Sequence, residues 1–509
     1  MSIHGTKTML HPHPTPPPPL SLLHSPMASK NGVLLPFLLS AIAAVTLSSL
    51  SLAAEASPAS AAATRRSQEP REAVRAGYYL AADAHLRPLA ALDASLYTHL
   101  YYYAVAVHPA RRTLLLPPDP AAASLLGDFS RAVKAKNAAV KTVLSIGGGG
   151  GGAGGGAAAA AGSGSGSDPA FAAMAADPAS RAAFIGAAVA VARENGFDGL
   201  DVAWRFPASA VEMAEFGFLV AEWRAAVPRG FLLTATVYFS NHVFDAPFAG
   251  VDYPSEAVAR SLDWVNVMAF GLRPPGAANA TAFDAPLYDR ASHYSASYGV
   301  VSWLDAGVPA SKVVMGIPLY GRSWFLRNKA NNGVGAPVVA AGPKQRGSNA
   351  TGAMSYAEVQ WLAATATRGS RAVITAYDNA SVASYVSVGD VWVAFDGVAV
   401  VAEKLAFAAR CGLLGYFLWP VNYDEANLTV SRRASQVWTQ TKISPEFKNV
   451  TGGARQTQAP VQRPPALQSP APTTAPMSSS SFSRLSWRML DVRLHLGALL
   501  LPLLVCSQI

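Results

Sequence analysis

Eight short apolar runs rich in β-branched and aromatic residues recur along the middle of the chain. They occupy residues 74–80, 98–107, 141–146, 199–204, 231–238, 264–270, 312–318 and 413–419. Ala-rich amphipathic stretches, such as residues 178–194 and 211–226, separate most of them. A near-continuous apolar run is what a strand shows when helices cover both of its faces. Eight such strands alternating with helices predict an α/β fold, a parallel (β/α)8 barrel over residues 72–442. The spacing is about 25–45 residues up to the seventh run, and roughly 95 residues then precede the eighth. That gap holds strand-like pieces at residues 372–377 and 391–396. It predicts a small α+β insertion between strands seven and eight, at about residues 323–400.

Composition narrows the function classes. Hydrophobic residues make up 51% and charged residues 14%, enough for a large core and too apolar for a disordered chain. The net charge is +9, yet no dense Lys/Arg run accompanies it, which argues against nucleic acid as a partner. Two cysteines, Cys411 and Cys506, exclude a disulfide framework and a multi-cysteine zinc site. The histidines show no ligand spacing, so no metal and no organic cofactor is implied.

Both ends read as targeting segments. Residues 1–26 are His/Pro-rich and form a non-structural leader. Residues 27–56 carry Lys30, an apolar run over 33–52 and the small-x-small site Ala54-Glu55-Ala56, the pattern of a secretory signal peptide. The alternative is a spanning helix. Residues 445–487 are a Pro/Ser/Thr-rich linker, and residues 488–509 hold an apolar tail. Small residues, spacer and tail fit a glycosylphosphatidylinositol signal, with an uncleaved tail or plain secretion as alternatives. Five sequons, at Asn279, Asn349, Asn379, Asn427 and Asn449, agree with an extracellular location.

The chemistry concentrates in Phe197-Asp198-Gly199-Leu200-Asp201-Val202-Ala203-Trp204-Arg205-Phe206-Pro207. This stretch resembles the fourth-strand signature D-G-x-D-x-D-W-E of glycoside hydrolase family 18, the chitinase family. Ser145-Ile146-Gly147-Gly148 is similar to its S-x-G-G motif, and Met268-Ala269-Phe270-Gly271 stands where the family has M-x-Y-D. Residues 316–322, Gly-Ile-Pro-Leu-Tyr-Gly-Arg, and 415–419, Gly-Tyr-Phe-Leu-Trp, resemble the seventh and eighth strands of plant class V chitinases. A Gly/Ala/Ser-rich segment, residues 147–167, follows the third strand at the end where barrels build their sites, and no Lys-Ser/Thr pair marks it as a phosphate cradle.

The resemblance implies a substrate-assisted glycosidase, in which a Glu protonates the glycosidic oxygen and the middle Asp orients the substrate's N-acetyl group. Side chains alternate along a strand, so positions 201, 203 and 205 share one direction, into the barrel mouth. Asp198 and Asp201 are retained. The middle Asp is Ala203 and the acid is Arg205. The family's Tyr and Asp on the sixth strand are Phe270 and Gly271. Arginine cannot act as a general acid near neutrality, and it sets a positive charge where an oxocarbenium-like charge must develop. An Asp201–Arg205 ion pair is expected to neutralise the surviving carboxylate. Tyr78, Met268, Tyr320, Arg322 and Trp419 match the family's sugar-binding surface, with Trp419 as a stacking platform and Trp204 as core.

Three functions follow. One is a chitinase-like protein that binds chitin or N-acetylglucosamine oligosaccharides, or a related glycan, without cleaving them. Another is an active chitinase using Asp201, Glu212 or Glu215, although both glutamates lie on the following helix and read as solvated helix faces. The third is a protein-binding inhibitor or receptor component. The sequence sets no oligomeric state.

Overall fold

The computed structural model describes residues 72–148, 168–244, 250–272, 279–345, 347, 349–369 and 372–443. The leader, the signal segment, the linker, the tail, Cys506, Asn449 and all but the first two residues of the Gly/Ala/Ser segment lie outside the described residues.

Eight parallel strands form the barrel: β1 (Val74–Leu80), β2 (His99–Val107), β3 (Lys141–Gly147), β4 (Gly199–Ala203), β5 (Leu232–Val237), β6 (Trp264–Val267), β7 (Val313–Pro318) and β8 (Gly415–Trp419). Each pairs with its neighbours, and β8 returns to pair with β1, closing the sheet. This is the (β/α)8 barrel expected from the eight runs. Helices cover its outer face. Those over Pro120–Lys136, Pro178–Glu194 and Ala210–Ala226 start at Asp119, Asp177 and Ser209, whose side chains accept a backbone N–H from the first turn. That contact satisfies a donor left open at a helix start. Phe129, Phe184, Trp223 and Trp303 from these helices and the later Ala296–Asp305 helix are fully buried.

Three strands stop short of their apolar runs, β5 by the single residue Tyr238. β6 ends at Val267, because Met268 to Phe270 leave the ladder and Gly271 turns the chain at φ 74°. β4 ends at Ala203, so Arg205 lies beyond it in the lip. Trp204 stacks on Phe171 at 5.2 Å and is core, as expected.

The insertion between β7 and β8 is an antiparallel sheet of Tyr320–Leu326, Val338–Ala341, Ala353–Ser355, Val373–Asp378, Ala383–Val388 and Val391–Phe395. The helix Tyr356–Arg368 packs on it. Its first strand begins at Tyr320, three residues before the expected boundary, so Tyr320 and Arg322 stand where barrel and insertion meet. Cys411 is half-buried and unpaired.

Candidate sugar site at the barrel mouth

Strand register explains the polar layer inside the barrel. Ser145 on β3 and Thr234 on β5 are the direct neighbours of Asp201 on β4. Asp201 is fully buried. Its carboxyl accepts hydrogen bonds from Thr234 (2.7 Å), Ser145 (2.8 Å), Thr236 (2.8 Å), Tyr78 (3.3 Å) and Asn266 (3.5 Å). Burial pushes its pKa above the ordinary 3.8, and the hydroxyl donors oppose that shift. Burial, followed by the Asp201 charge, also holds the Tyr78 hydroxyl well above its ordinary range.

The expected Asp201–Arg205 ion pair does not form. Both carboxylate oxygens of Asp201 are taken by neutral donors deep in the barrel, whereas Arg205 has already left the ladder. Its guanidinium Nη1 donates to the Tyr103 hydroxyl at 3.3 Å. Burial, followed by the Asp284 charge, holds the Tyr320 hydroxyl well above its ordinary range, and the Arg205 charge opposes that only weakly. Tyr103 lies midway along β2, so the Arg205 side chain reaches from the end of β4 across to β2. It is half-buried, and among the described residues no carboxylate forms an ion pair with it.

Asp198 is not part of this constellation. It precedes β4, faces outward, accepts from the Thr142 amide and pairs with Lys134 at 2.9 Å. It fastens the bottom of the barrel. Ala203 is fully buried and carries no polar group to replace the lost Asp. Its carbonyl accepts from the Gly148 amide at 2.7 Å. A Cβ on Gly147 would stand 2.5 Å from that carbonyl oxygen, and one on Gly148 would stand 1.7 Å from the Tyr103 hydroxyl. Both glycines have positive φ, so this close crossing accounts for the paired glycines of the S-x-G-G motif.

The expected platform is sealed. Trp419 is 0% exposed. Tyr103 stands edge-on to its ring at 4.7 Å, Tyr78 lies at 5.1 Å, and Phe270 stacks at 6.2 Å. Trp419 and Tyr78 therefore form an aromatic floor rather than an open stacking face. Phe270 fits because Gly316 leaves room for its ring. Met268 is buried beside it.

Tyr320 and Arg322 converge on a residue that the sequence did not single out. Asp284 is buried and accepts from the Tyr320 hydroxyl at 2.8 Å, Arg322 Nε at 3.2 Å and the Gly271 amide at 3.2 Å. It lies in an irregular loop with no periodicity to mark it. Tyr103 was likewise hidden, inside an aromatic run that reads as core. Glu212 is not a solvated face: its carboxylate accepts the Ala208 amide at the start of its helix. Glu215 lies one turn further along the same helix.

The acidic layer carries a testable pH signature. A carboxyl held above its unfolded pKa binds its proton more tightly in the folded state, so stability falls as pH rises past 3.8. Asp83, Asp168 and Asp396 are shifted the same way, also by burial. The difference between wild type and Asp201→Asn isolates one group. In denaturant unfolding above pH 4, Asp201→Asn should lose less stability per pH step than wild type; equal slopes would contradict the buried, proton-retaining Asp201.

A closed parallel barrel with a carboxylate-centred polar layer, an aromatic floor and an insertion before the last strand defines a barrel of the glycosidase class. The profile of "Glycosyl hydrolases family 18" matches residues 74–424, and the chain belongs to that family. It is similar to a class V chitinase of Arabidopsis thaliana, 35% identical over 72% of this chain and 90% of the relative. It is also similar to Nod factor hydrolase protein 1 of Medicago truncatula, 34% identical over 69% and 87%. Among solved structures, a class V chitinase from Nicotiana tobaccum in complex with NAG4 aligns with TM-score 0.62 and 33% identity, over 72% of this chain and 99% of that one. The chitinase-like agglutinin of Robinia pseudoacacia aligns with TM-score 0.59 and 32% identity, over 72% and 100%.

Proposed function

We propose that the chain is a chitinase-like protein that binds N-acetylglucosamine oligosaccharides, or a closely related glycan, at the barrel mouth and does not hydrolyse them. The observation that carries the loss of hydrolysis is the guanidinium of Arg205, held at the lip on Tyr103 where a proton donor is required. Ala203, Phe270 and Gly271 remove three further groups that the family's chemistry uses. Asp201 cannot take over, because it is fully buried and its oxygens are occupied. Binding is supported by the relatives: the Nicotiana tobaccum enzyme holds NAG4, and the Robinia protein is named an agglutinin. With Trp419 and Tyr103 buried, the sugar would rest on the half-buried Arg205 and Phe206 at the lip, above that aromatic floor.

The proposal includes passage through the secretory route. Asn279, Asn349, Asn379 and Asn427 all expose their side chains, as glycan attachment requires. No helix among the described residues is long and apolar enough to cross a membrane.

One preparation from a secretory host tests the reading. It should carry glycans that an amidase removes, bind chitotetraose at a single saturable site in calorimetry, and release no shortened product. A folded protein giving no heat at millimolar ligand would remove the binding claim. Turnover at the rate of ordinary chitinases would remove the claim of inactivity.

A further inference from the structure

We infer that Arg205 makes the barrel mouth a receptor for acidic sugars, selecting a carboxylate-bearing oligosaccharide over a neutral one of the same shape. This deepens the reading above, since it rests on a glycan occupying the mouth.

The argument is one of charge and geometry. Arg205 is half-buried, and its guanidinium reaches across from the end of β4 to the Tyr103 hydroxyl on β2. Tyr103, which it contacts, stands edge-on to Trp419, and Phe270 stacks on Trp419, so the guanidinium borders the aromatic floor through Tyr103. Among the described residues its polar contact is a neutral phenol, which leaves most of its five donors for a ligand. The carboxylates around it are committed elsewhere. Asp201 lies below with its oxygens on hydroxyl and amide donors. Asp284 is held by Arg322 and Tyr320. Asp168 and Glu212 accept backbone amides at helix starts. The mouth thus presents a fixed cation that no carboxylate among the described residues neutralises.

A planar guanidinium in a partly desolvated site matches a carboxylate in a two-point, charge-assisted contact. A sugar ring bearing that carboxylate would meet the aromatic rim at the same time. The same cation opposes de-N-acetylated, positively charged glucosamine oligomers, which gives specificity through repulsion as well as attraction.

Calorimetry on the full-length protein tests this with a tetra-galacturonate, its methyl ester and chitotetraose. The ester keeps the skeleton and removes only the charge. The acid is expected to bind at least about tenfold more tightly than the ester, with an advantage that shrinks as salt rises. Arg205→Gln should abolish the difference, and Arg205→Lys, which keeps the charge without the fork, should retain part of it. Melting curves should show both variants folded, since residue 205 is not deeply buried. Equal affinity for acid and ester, or an acid preference that survives Arg205→Gln, overturns the inference. If chitotetraose binds and the acid shows no advantage, only this inference falls. If the acid binds and chitotetraose does not, only the chitin-type ligand falls. Failure of all three ligands removes both.

Discussion

Exchanging Arg205 for Glu together with Ala203 for Asp should raise hydrolysis of chitotetraose by about 100-fold or more over the wild-type chain, the scale a positioned general acid contributes. A glutamate at 205 would occupy a half-buried position beside the Tyr103 hydroxyl. Partial burial raises a carboxyl's pKa towards the range in which it can deliver a proton. An Asp at 203 would point inward one level above Asp201 and restore the group that orients an N-acetyl substituent. Asp201 lies below it, with burial already favouring its protonated form, which limits repulsion between the two. Phe270 and Gly271 would still be missing a hydroxyl and a carboxylate. Adding Phe270→Tyr and Gly271→Asp should give a further rise, and position 271 has φ 74°, a conformation that Asp tolerates better than most residues. Because Ala203 is fully buried, the Ala203→Asp change puts folding at risk. Arg205→Glu alone, at a half-buried site, serves as the second variant and should show a smaller gain. Turnover of labelled chitotetraose and a melting curve on each variant decide the matter. A folded four-site variant that stays at wild-type activity would show that the four lost groups do not account for the missing hydrolysis.

How far the chain could be read in advance depended on the range of each interaction. The eight barrel strands were legible because burial on two faces leaves a local signature, a continuous apolar run, and the strand ends differed from the runs by no more than three residues. The overshoot at residues 268–270 has a plain cause. Met268 and Phe270 are apolar because they pack beneath the mouth, not because they sit in the sheet. The inward alternation of Asp201 and Ala203 followed from strand geometry. The fate of Arg205 did not, since alternation ceases to hold once the chain leaves the ladder at Ala203. Long-range partners were the least visible. Tyr103 is about 100 residues from Arg205 in sequence, and Asp284 meets Arg322 across a whole barrel repeat. No periodicity encodes such meetings. The covering of Trp419 was hidden for the same reason, as three rings from three other strands or loops assemble over it.

Asp284→Ala should be the most destabilising single polar change at the mouth, costing about 3–5 kcal/mol, the range for removing one partner of a buried ion pair. Arg322 is fully buried, and Asp284 supplies the carboxylate on its Nε. The same carboxylate also holds the Tyr320 hydroxyl and the Gly271 amide. One side chain therefore ties the turn after β6 to the first strand of the insertion. Its removal takes the acceptor from the Nε of a buried cation, from a phenol and from a backbone donor inside the protein, where water does not reach easily. Asp284→Asn keeps an acceptor of similar size and loses only the charge, so its cost should be clearly smaller. For a barrel of this size the alanine change corresponds to a fall in melting temperature of roughly 5 °C. Reversible denaturant unfolding of wild type, Asp284→Asn and Asp284→Ala gives the order directly. The carboxylate's fastening role would be refuted if alanine cost less than about 1 kcal/mol, the level of a surface ion pair. The same role predicts a local effect. With the turn released, Phe270 loses its fixed seat between Tyr320 and Trp419, and the aromatic floor opens to solvent. Tryptophan emission from Trp419 should then shift to longer wavelength in Asp284→Ala before global unfolding begins, and remain at its wild-type position in Asp284→Asn.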